Sequence, residues 1–562
     1  MSPQATVAWA LLLNLGVATA AWAGPLDEGL DLLEQWQLED ARALSERYLL
    51  EAPDEPRAWL LAGAVQHQRG EHLAALRLLE AAAMRNVAAP HGLQSLVEAS
   101  ARYASAFTTR ETPHFRIRYL NKDEIVAFYA DQVLEAAYRN IAGDLEFLPA
   151  ERGEKIVVEI YPDARGLAGA TGLTLGEIET SGTIAVCKFH RLMITSPLAT
   201  ANGYDWANTL AHEFTHLVIS KKAKNTIPIW LHEGIAKYYE SRLSGGLGEA
   251  LGAHAEKLLA KAVQTKKFVT FAQMHPSMAK LPSQEEAALA YAEVFTVIEY
   301  LVGRFGKASV PKLLTLAATG VEVEAALQQL YGMRLPALEV AWHKYLQTRH
   351  FRDIPGAAPR RIKLVTNEKE AQTEAPLETM DDKVTHDLAR LGELLQLRGH
   401  HTAAVVEYEK AYARSGVRYA SLINKLARAY VAVGRAQDAT RLTDKLLLAQ
   451  PDDTDALLLA GRIALESKQD AVAAKRFEAV ALINPFNPEI HVALAKIYGA
   501  AGQTEKAARA QRFAELAMTP RPTRTYELPA ENAGQAWLSL VAPHWGEVRL
   551  DGGEPMVTPW WH

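Results

Sequence analysis

A spacing of about 34–35 residues recurs through the C-terminal part of the chain, and it limits the possible fold more than any other feature. Gly392, Gly399, Ala404, Tyr408 and Ala411 mark one copy. Ala427, Tyr430, Gly434, Ala439 and Pro451 mark a second, Gly461, Ala473, Phe477 and Pro485 a third, and Ala495, Tyr498, Gly502, Ala507 and Ala514 a fourth. A repeat of this length is one helix–turn–helix unit. Its small residues let two helices approach, and its large ones fill the gap between them. One unit cannot bury its apolar face alone, so successive copies must stack into a helical solenoid. Trp59, Gly63, Gly70, Ala75, Leu79 and Ala82 show the same spacing near the N-terminus, with Gly29, Ala41, Tyr48 and Pro53 one period earlier.

These positions resemble tetratricopeptide (TPR) repeats. The resemblance implies four C-terminal repeats over 384–518 and TPR-like helical repeats over 24–103, with concave faces that take a protein partner. Arg352 to Lys383 carries Pro355, Pro359, Pro376 and many charges, and reads as a linker over 351–383. The tail, 519–562, is rich in Pro, Trp and Gly; Gly546 to Gly553 within it fits one β-hairpin.

At 562 residues the chain needs several cores. Its 60 Lys and Arg against 66 Asp and Glu, with no long basic run, give no support to a nucleic-acid partner. Ala5 to Ala23 is mostly apolar and ends Ala21-Trp22-Ala23 before Gly24-Pro25. This predicts a signal peptide over 1–23, cleaved after Ala23, and export to the periplasm or the exterior. No stretch beyond it is long and apolar enough for a transmembrane span. The single cysteine, Cys187, excludes an internal disulfide and a cysteine-based metal site.

Between the two repeat regions the pattern changes. Phe115–Tyr119 alternates as a strand, 122–140 reads as a helix, and Lys155–Tyr161 as a second strand. Gly166 to Gly182 reads as a Gly-rich loop and Thr183–Thr195 as a third strand. A helix follows from near Asp205 to about Lys221, and another carries Trp230 to Ser241 with Pro228 in its first turn. Further helices are expected over 247–264, 284–304, 308–319, 321–331 and 336–349. The result is a small-sheet subdomain over 109–204 and a helical one over 205–350.

The helix from Asp205 carries His212-Glu213-Phe214-Thr215-His216. Two histidines four apart project from one helical face and can offer two imidazole nitrogens to one zinc ion. Leu210, Ala211, Phe214 and Leu217-Val218-Ile219 make that helix apolar on more than one face, so the cluster is buried and needs partners or a metal to offset its desolvation. Two histidines and one carboxylate leave the fourth zinc position open for water, whose pKa the metal lowers to about 7. Glu213 would take that proton and pass it to the leaving amine. Trp230-Leu231-His232-Glu233-Gly234 supplies the carboxylate, Glu233, with His232 as the alternative ligand.

The two motifs together, His212–His216 and Trp230, Leu231, Glu233, Gly234 and Ala236, resemble the gluzincin metallopeptidases, within them the peptidase MA-like domains often joined to TPR repeats. The resemblance covers about 109–350. It implies a multidomain, mainly α protein: an α+β thermolysin-like catalytic domain plus an α-solenoid of repeats. It implies one Zn²⁺ on His212, His216 and Glu233, a peptide or protein substrate, and an edge strand, here Thr183–Thr195, that pairs with it. An oxyanion donor is also implied; Tyr291 is the candidate, with Tyr238, Tyr239 and Tyr300 competing. His190 and Cys187 lie on the proposed edge strand; ordinary strand positions are expected for both. Two functions follow from this reading. One is an exported zinc metallopeptidase, a hydrolase; the other is a scaffold whose peptidase-like domain binds zinc or peptide without turnover.

Overall fold

The computed structural model describes residues 24–90, 92–150, 154–244, 251–275, 278, 281–352, 354–357, 362–365, 380–520, 547–548 and 556–557. The expected signal peptide, much of the linker and most of the tail lie outside them. The described chain is mainly helical around one five-stranded sheet. No helix among the described residues is long and apolar enough to cross a membrane.

The N-terminal repeats form the helices α1 (Pro25–Glu34), α2 (Leu38–Glu51), α3 (Pro56–Gln68), α4 (His72–Ala83) and α5 (Leu93–Ala104). The first four pack as consecutive pairs, α1 with α2 and α3 with α4; α5 then packs on α4.

The sheet comprises β1 (Thr108–Glu111), β2 (Phe115–Tyr119), β3 (Ile156–Tyr161), β4 (Ala185–Lys188) and β5 (Arg191–Thr195), in the order β1-β2-β3-β5-β4. β2, β3 and β5 run parallel, and the outer strands β1 and β4 are antiparallel to their neighbours. All six residues of β3 are buried because both faces of the sheet are covered. On one face, Phe115, Ile117, Val158, Ile160, Leu192 and Ile194 enter the main core with helix α6 (Glu124–Ala137). On the other face, Tyr161 and Met193 pack with Tyr103, Phe107 and the helices α7 (Ala164–Thr171) and α8 (Leu175–Ser181).

Two sequence expectations need correction here. The Gly-rich stretch 166–182 is two short helices rather than a loop. Gly166 is there for packing, since a Cβ would stand 2.9 Å from the Tyr161 ring, and α8 opens on a capping box in which Thr174 and Glu177 satisfy each other's backbone N–H. Thr183–Thr195 is not one strand but a hairpin. Lys188 pairs with Arg191, and Phe189 and His190 turn the chain at φ 54° and 56°. Of the hairpin's two strands, β4 is at an edge and β5 lies inside the sheet. Strand β1 straddles the expected boundary at 109 and carries no apolar alternation that would mark it in the sequence.

Beyond the sheet come α9 (Trp206–Ala223), α10 (Ile229–Tyr239), α11 (Ala253–Thr265), α12 (Phe271–Met274), α13 (Gln284–Phe305), α14 (Ser309–Ala317), α15 (Val323–Tyr331) and α16 (Leu335–Thr348). They share the main core, in which Trp206, Phe214, Phe295 and Trp342 are fully buried. Part of the expected linker is tied down: Leu364 bridges to Thr200, and the Val365 N–H donates to the Ala199 carbonyl.

The C-terminal repeats form four helix pairs among the described residues: Lys383–Leu397 with His401–Ser415, Ala420–Ala432 with Ala436–Ala449, Thr454–Glu466 with Asp470–Ala481, and Pro488–Ala500 with Thr504–Met518. Small residues do set the approach of the paired helices. A Cβ on Gly461 would sit 2.7 Å from the Phe477 ring of its partner. This array docks on the sheet domain. The Trp206 indole N–H donates to the Ala481 carbonyl at 3.3 Å, the Tyr204 N–H to the Ile483 carbonyl at 3.1 Å, and Phe513 packs edge-on against Phe128. In the tail, Glu547–Val548 pair antiparallel with Met556–Val557, so this pairing reaches beyond the hairpin expected over 546–553.

Candidate metal centre

Helix α9 is held at both ends and buried along its length. Asp205 caps it by accepting from the Asn208 N–H, and Lys224 ends it in the left-handed region. Trp206, Leu210, Ala211, Phe214, Leu217, Val218 and Ile219 are buried around its circumference. That leaves the line of His212 and His216 facing α10. Helix α10 begins after Pro228, whose extended backbone breaks the chain between the helices. Gly234 lets α10 close on α13, since a Cβ there would lie 2.7 Å from the Val294 carbonyl oxygen. This contact sets Glu233 opposite the two histidines.

The free atoms of these three side chains converge. His212 Nε2 and His216 Nε2 are 3.0 Å apart, and Glu233 Oε2 lies 3.4 Å from the first and 3.5 Å from the second. A tetrahedral zinc ion with bonds of about 2.0–2.1 Å has its ligand atoms roughly 3.3–3.4 Å apart. The triangle therefore matches one face of such a tetrahedron, and two imidazoles with one carboxylate are a donor set zinc takes. Among the described residues this is the one group of three His, Cys, Asp or Glu side chains whose ligand atoms come together this way. The side chains stay 17%, 13% and 11% exposed, so the triangle is open to solvent on one side.

Each histidine is held from behind by a different kind of group. His212 Nδ1 lies 3.0 Å from Glu240 Oε2, and Glu240 is itself paired with Lys237. Burial opposes a charge on His212, but Glu233 and Glu240 outweigh it and hold its pKa up to about 10. The spot thus demands positive charge, which a cation supplies as well as a proton does. His216 Nδ1 lies 2.6 Å from His232 Nδ1, and His232 Nε2 lies 3.1 Å from Ser220 Oγ. Burial, and then the neighbouring His216, lower the pKa of His232 to about 3, so it is neutral. With His216 Nε2 turned to a metal, His216 Nδ1–H donates to His232, and His232 Nε2–H donates to Ser220. His232 therefore stands behind His216, and Glu233 is the carboxylate that lies with the two histidines.

Glu213, beside His212 on α9, lies where that helix packs against the sheet. Its carboxylate accepts the Cys187 backbone N–H from β4, which packs directly on α9. Burial raises its pKa, against the pull of His216 and His212. Cys187 contributes this amide, while burial pushes its thiol well above the usual range. His190 is buried at the hairpin tip against Trp36, away from the centre.

Tyr291 lies on α13, 36% exposed, and its phenol is raised well above the usual range, first by Glu233, then by burial and Glu213. It therefore lies within electrostatic reach of both carboxylates of the centre. Tyr238 and Tyr239 respond, after burial, to Glu299 and Asp144 respectively, and the Tyr300 ring packs tilted against Tyr345. The groups that sequence reasoning missed are Glu240, Lys237 and the supporting role of His232. A signal existed for two of them, since Glu233, Lys237 and Glu240 fall on one helical face at spacings of four and three.

Residues 147–348 match the family model described as the Peptidase MA superfamily. The match takes in β3 to α16 and so both motifs; β1, β2 and the repeats lie outside it. No curated protein matches the chain. The region 147–348 is thus similar to peptidase MA domains, within a mainly helical chain.

Proposed function

We propose that the chain is an exported zinc metallopeptidase of the gluzincin type, with a thermolysin-like catalytic domain flanked by TPR repeats that bind a protein partner. The observation that carries this reading is the Nε2–Nε2–Oε2 triangle of His212, His216 and Glu233, with a buried carboxylate, Glu213, beside it. Zinc held by those three residues would supply Lewis acidity and a nucleophilic water at neutral pH. Burial shifts the pKa of Glu213 upward, the direction that strengthens a carboxylate base, and the Cys187 N–H donates to its carboxylate. It takes the proton from the nucleophile and returns it to the leaving amine. Tyr291 stays protonated at neutral pH and so can donate a hydrogen bond to the developing oxyanion. β4 is the outer strand, and one row of its backbone groups is available to an extended peptide.

The test uses the full chain, loaded with zinc, on a mixed peptide library. Wild type is expected to cleave, and Glu213→Gln to retain zinc while losing about 10²–10⁴-fold in rate. Full zinc loading with no cleavage above Glu213→Gln would replace the enzyme reading with that of a zinc- or peptide-binding scaffold.

A further inference from the structure

Ten residues other than glycine have positive φ among the described residues, and three of them carry aromatic rings: Trp36, Phe189 and His190. The rest are Asn, Lys or Glu. Asn and His tolerate this backbone region, but it is unfavourable for bulky side chains such as Trp and Phe. The three aromatic cases meet at one place. The rings of Trp36 and His190 lie 4.5 Å apart between centroids, and Phe189 stands edge-on to His67 at 5.3 Å. Trp36 lies in the turn between α1 and α2 and His67 lies on α3, so both belong to the N-terminal repeats. Phe189 and His190 form the two-residue turn of the β4–β5 hairpin, a turn type that Asn-Gly adopts readily and Phe-His does not.

A strained turn persists only when its surroundings hold it. Here they do so at both strand ends. Arg191, the first residue of β5, is fully buried and reaches His72 on α4 and Glu159 on β3. Lys188, the last residue of β4, donates to the Thr171 carbonyl at 2.9 Å. One residue further along β4, the Cys187 N–H holds Glu213.

We propose that the N-terminal repeats act as a clamp on the hairpin, with Trp36 and His67 as positioning residues. They hold Phe189-His190 in its unfavourable turn, and through β4 they fix the Cys187 amide against Glu213 and the edge that receives the peptide. The inference rests on the peptidase reading for its effect on rate, but the effect on β4 stands without it. A partner that drew the N-terminal repeats away would loosen the edge strand and lower activity without touching the metal triangle.

The test compares three full-length, zinc-loaded chains. The first is wild type. The second is Trp36→Gly, which removes the ring yet suits φ 57° and so keeps the α1–α2 turn. The third adds Phe189→Asn and His190→Gly to Trp36→Gly, giving a turn that needs no clamp. Trp36→Gly is expected to speed amide hydrogen exchange at 185–188 by about tenfold and to lower kcat/KM by a similar factor, with zinc affinity unchanged. The third chain is expected to recover both. Unchanged exchange at 185–188 in Trp36→Gly would overturn the proposal. So would a third chain no better protected than the second. If wild type cleaves nothing, the peptidase reading fails while the exchange result still decides the clamp.

Discussion

Two clusters of buried histidine and glutamate lie on either side of the sheet, and they are built for opposite ends. In the first, His72, Glu159 and Arg191 are wholly buried where the N-terminal repeats meet β3 and β5. His72 Nε2 donates to Glu159 Oε1 at 2.6 Å, His72 Nδ1 accepts from Arg191 at 3.1 Å, and the Tyr161 hydroxyl donates to Glu159 Oε2 at 3.0 Å. Arg118 adds a further contact to Glu159 at 3.6 Å. Glu159 is surrounded by donors and cations, so the cluster is closed. In the second, His212, His216 and Glu233 turn their free atoms toward one point that solvent reaches, and their other atoms are held from behind by Glu240 and His232. The same residue types serve adhesion in one place and chemistry in the other. What differs is whether the lone pairs are used up within the protein or converge on a common point.

The largest expected effect comes from breaking the closed cluster. Glu159→Ala leaves Arg191 buried with its main partner gone, and a loss of about 3–5 kcal/mol in stability is expected by denaturant titration. Zinc content per folded chain should be unchanged, because the second cluster does not share these residues. A loss well below 1 kcal/mol would show that solvent reaches Arg191 and that the cluster is not closed.

A smaller effect is expected behind the open cluster. Glu240→Gln keeps a hydrogen-bond acceptor for His212 but removes the charge. Zinc affinity, measured by competition with a chelator, should fall by roughly 10–100-fold with stability little changed. His232→Ala should weaken affinity less, because His232 contributes orientation without charge; an effect larger than that of Glu240→Gln would reverse the ranking of the two supports.

The smallest effect is a difference in pH dependence, and its sign separates the clusters in the zinc-free protein. Burial, together with Arg191, holds the pKa values of His67 and His72 below 6.5, so both remain neutral when folded. The unfolded chain takes up their protons first, so stability from this cluster falls as pH drops through about 6.5. Glu159 adds to the loss lower down: although burial favours its neutral form, Arg191 and His72 hold its carboxyl well below the usual range, so its contribution fades as pH falls below about 4.5. His212 has the opposite sign. Its folded pKa is raised to about 10, so its contribution is fully present below about 6.5 and is lost as pH rises through 10. Urea titrations of the zinc-free chain across pH 4–10 should show His72→Gln flattening the acid limb and His212→Gln the alkaline one. A single limb affected by both variants would mean that the clusters are coupled.

These clusters were also unequally legible in the sequence. The open one lies in two short segments, 212–216 and 230–236, where helical spacing alone puts ligands on a common face. The closed one draws on His67, His72, Arg118, Glu159, Tyr161 and Arg191, and no local pattern links positions that only the tertiary fold brings together. Most helices were legible from their periodicity, and the repeats from their spacing. The hairpin was missed because Phe189-His190 lacks the Gly or Asn that normally announces such a turn, and its geometry is imposed from outside by Trp36 and His67. α7 and α8 are hidden in the sequence because their glycines signal a loop. At Gly166 glycine serves the close approach to Tyr161, and the Thr174–Glu177 capping box was the better signal.

The central claim is that His212, His216 and Glu233 hold one metal ion that serves catalysis. The most direct test is zinc stoichiometry by equilibrium dialysis, read beside peptide hydrolysis on the same samples, for wild type, Glu233→Ala and Glu213→Gln. One zinc per chain and cleavage are expected for wild type, neither for Glu233→Ala, and one zinc without cleavage for Glu213→Gln. Zinc binding by Glu233→Ala equal to that of wild type, or cleavage by Glu213→Gln at the wild-type rate, would contradict the claim.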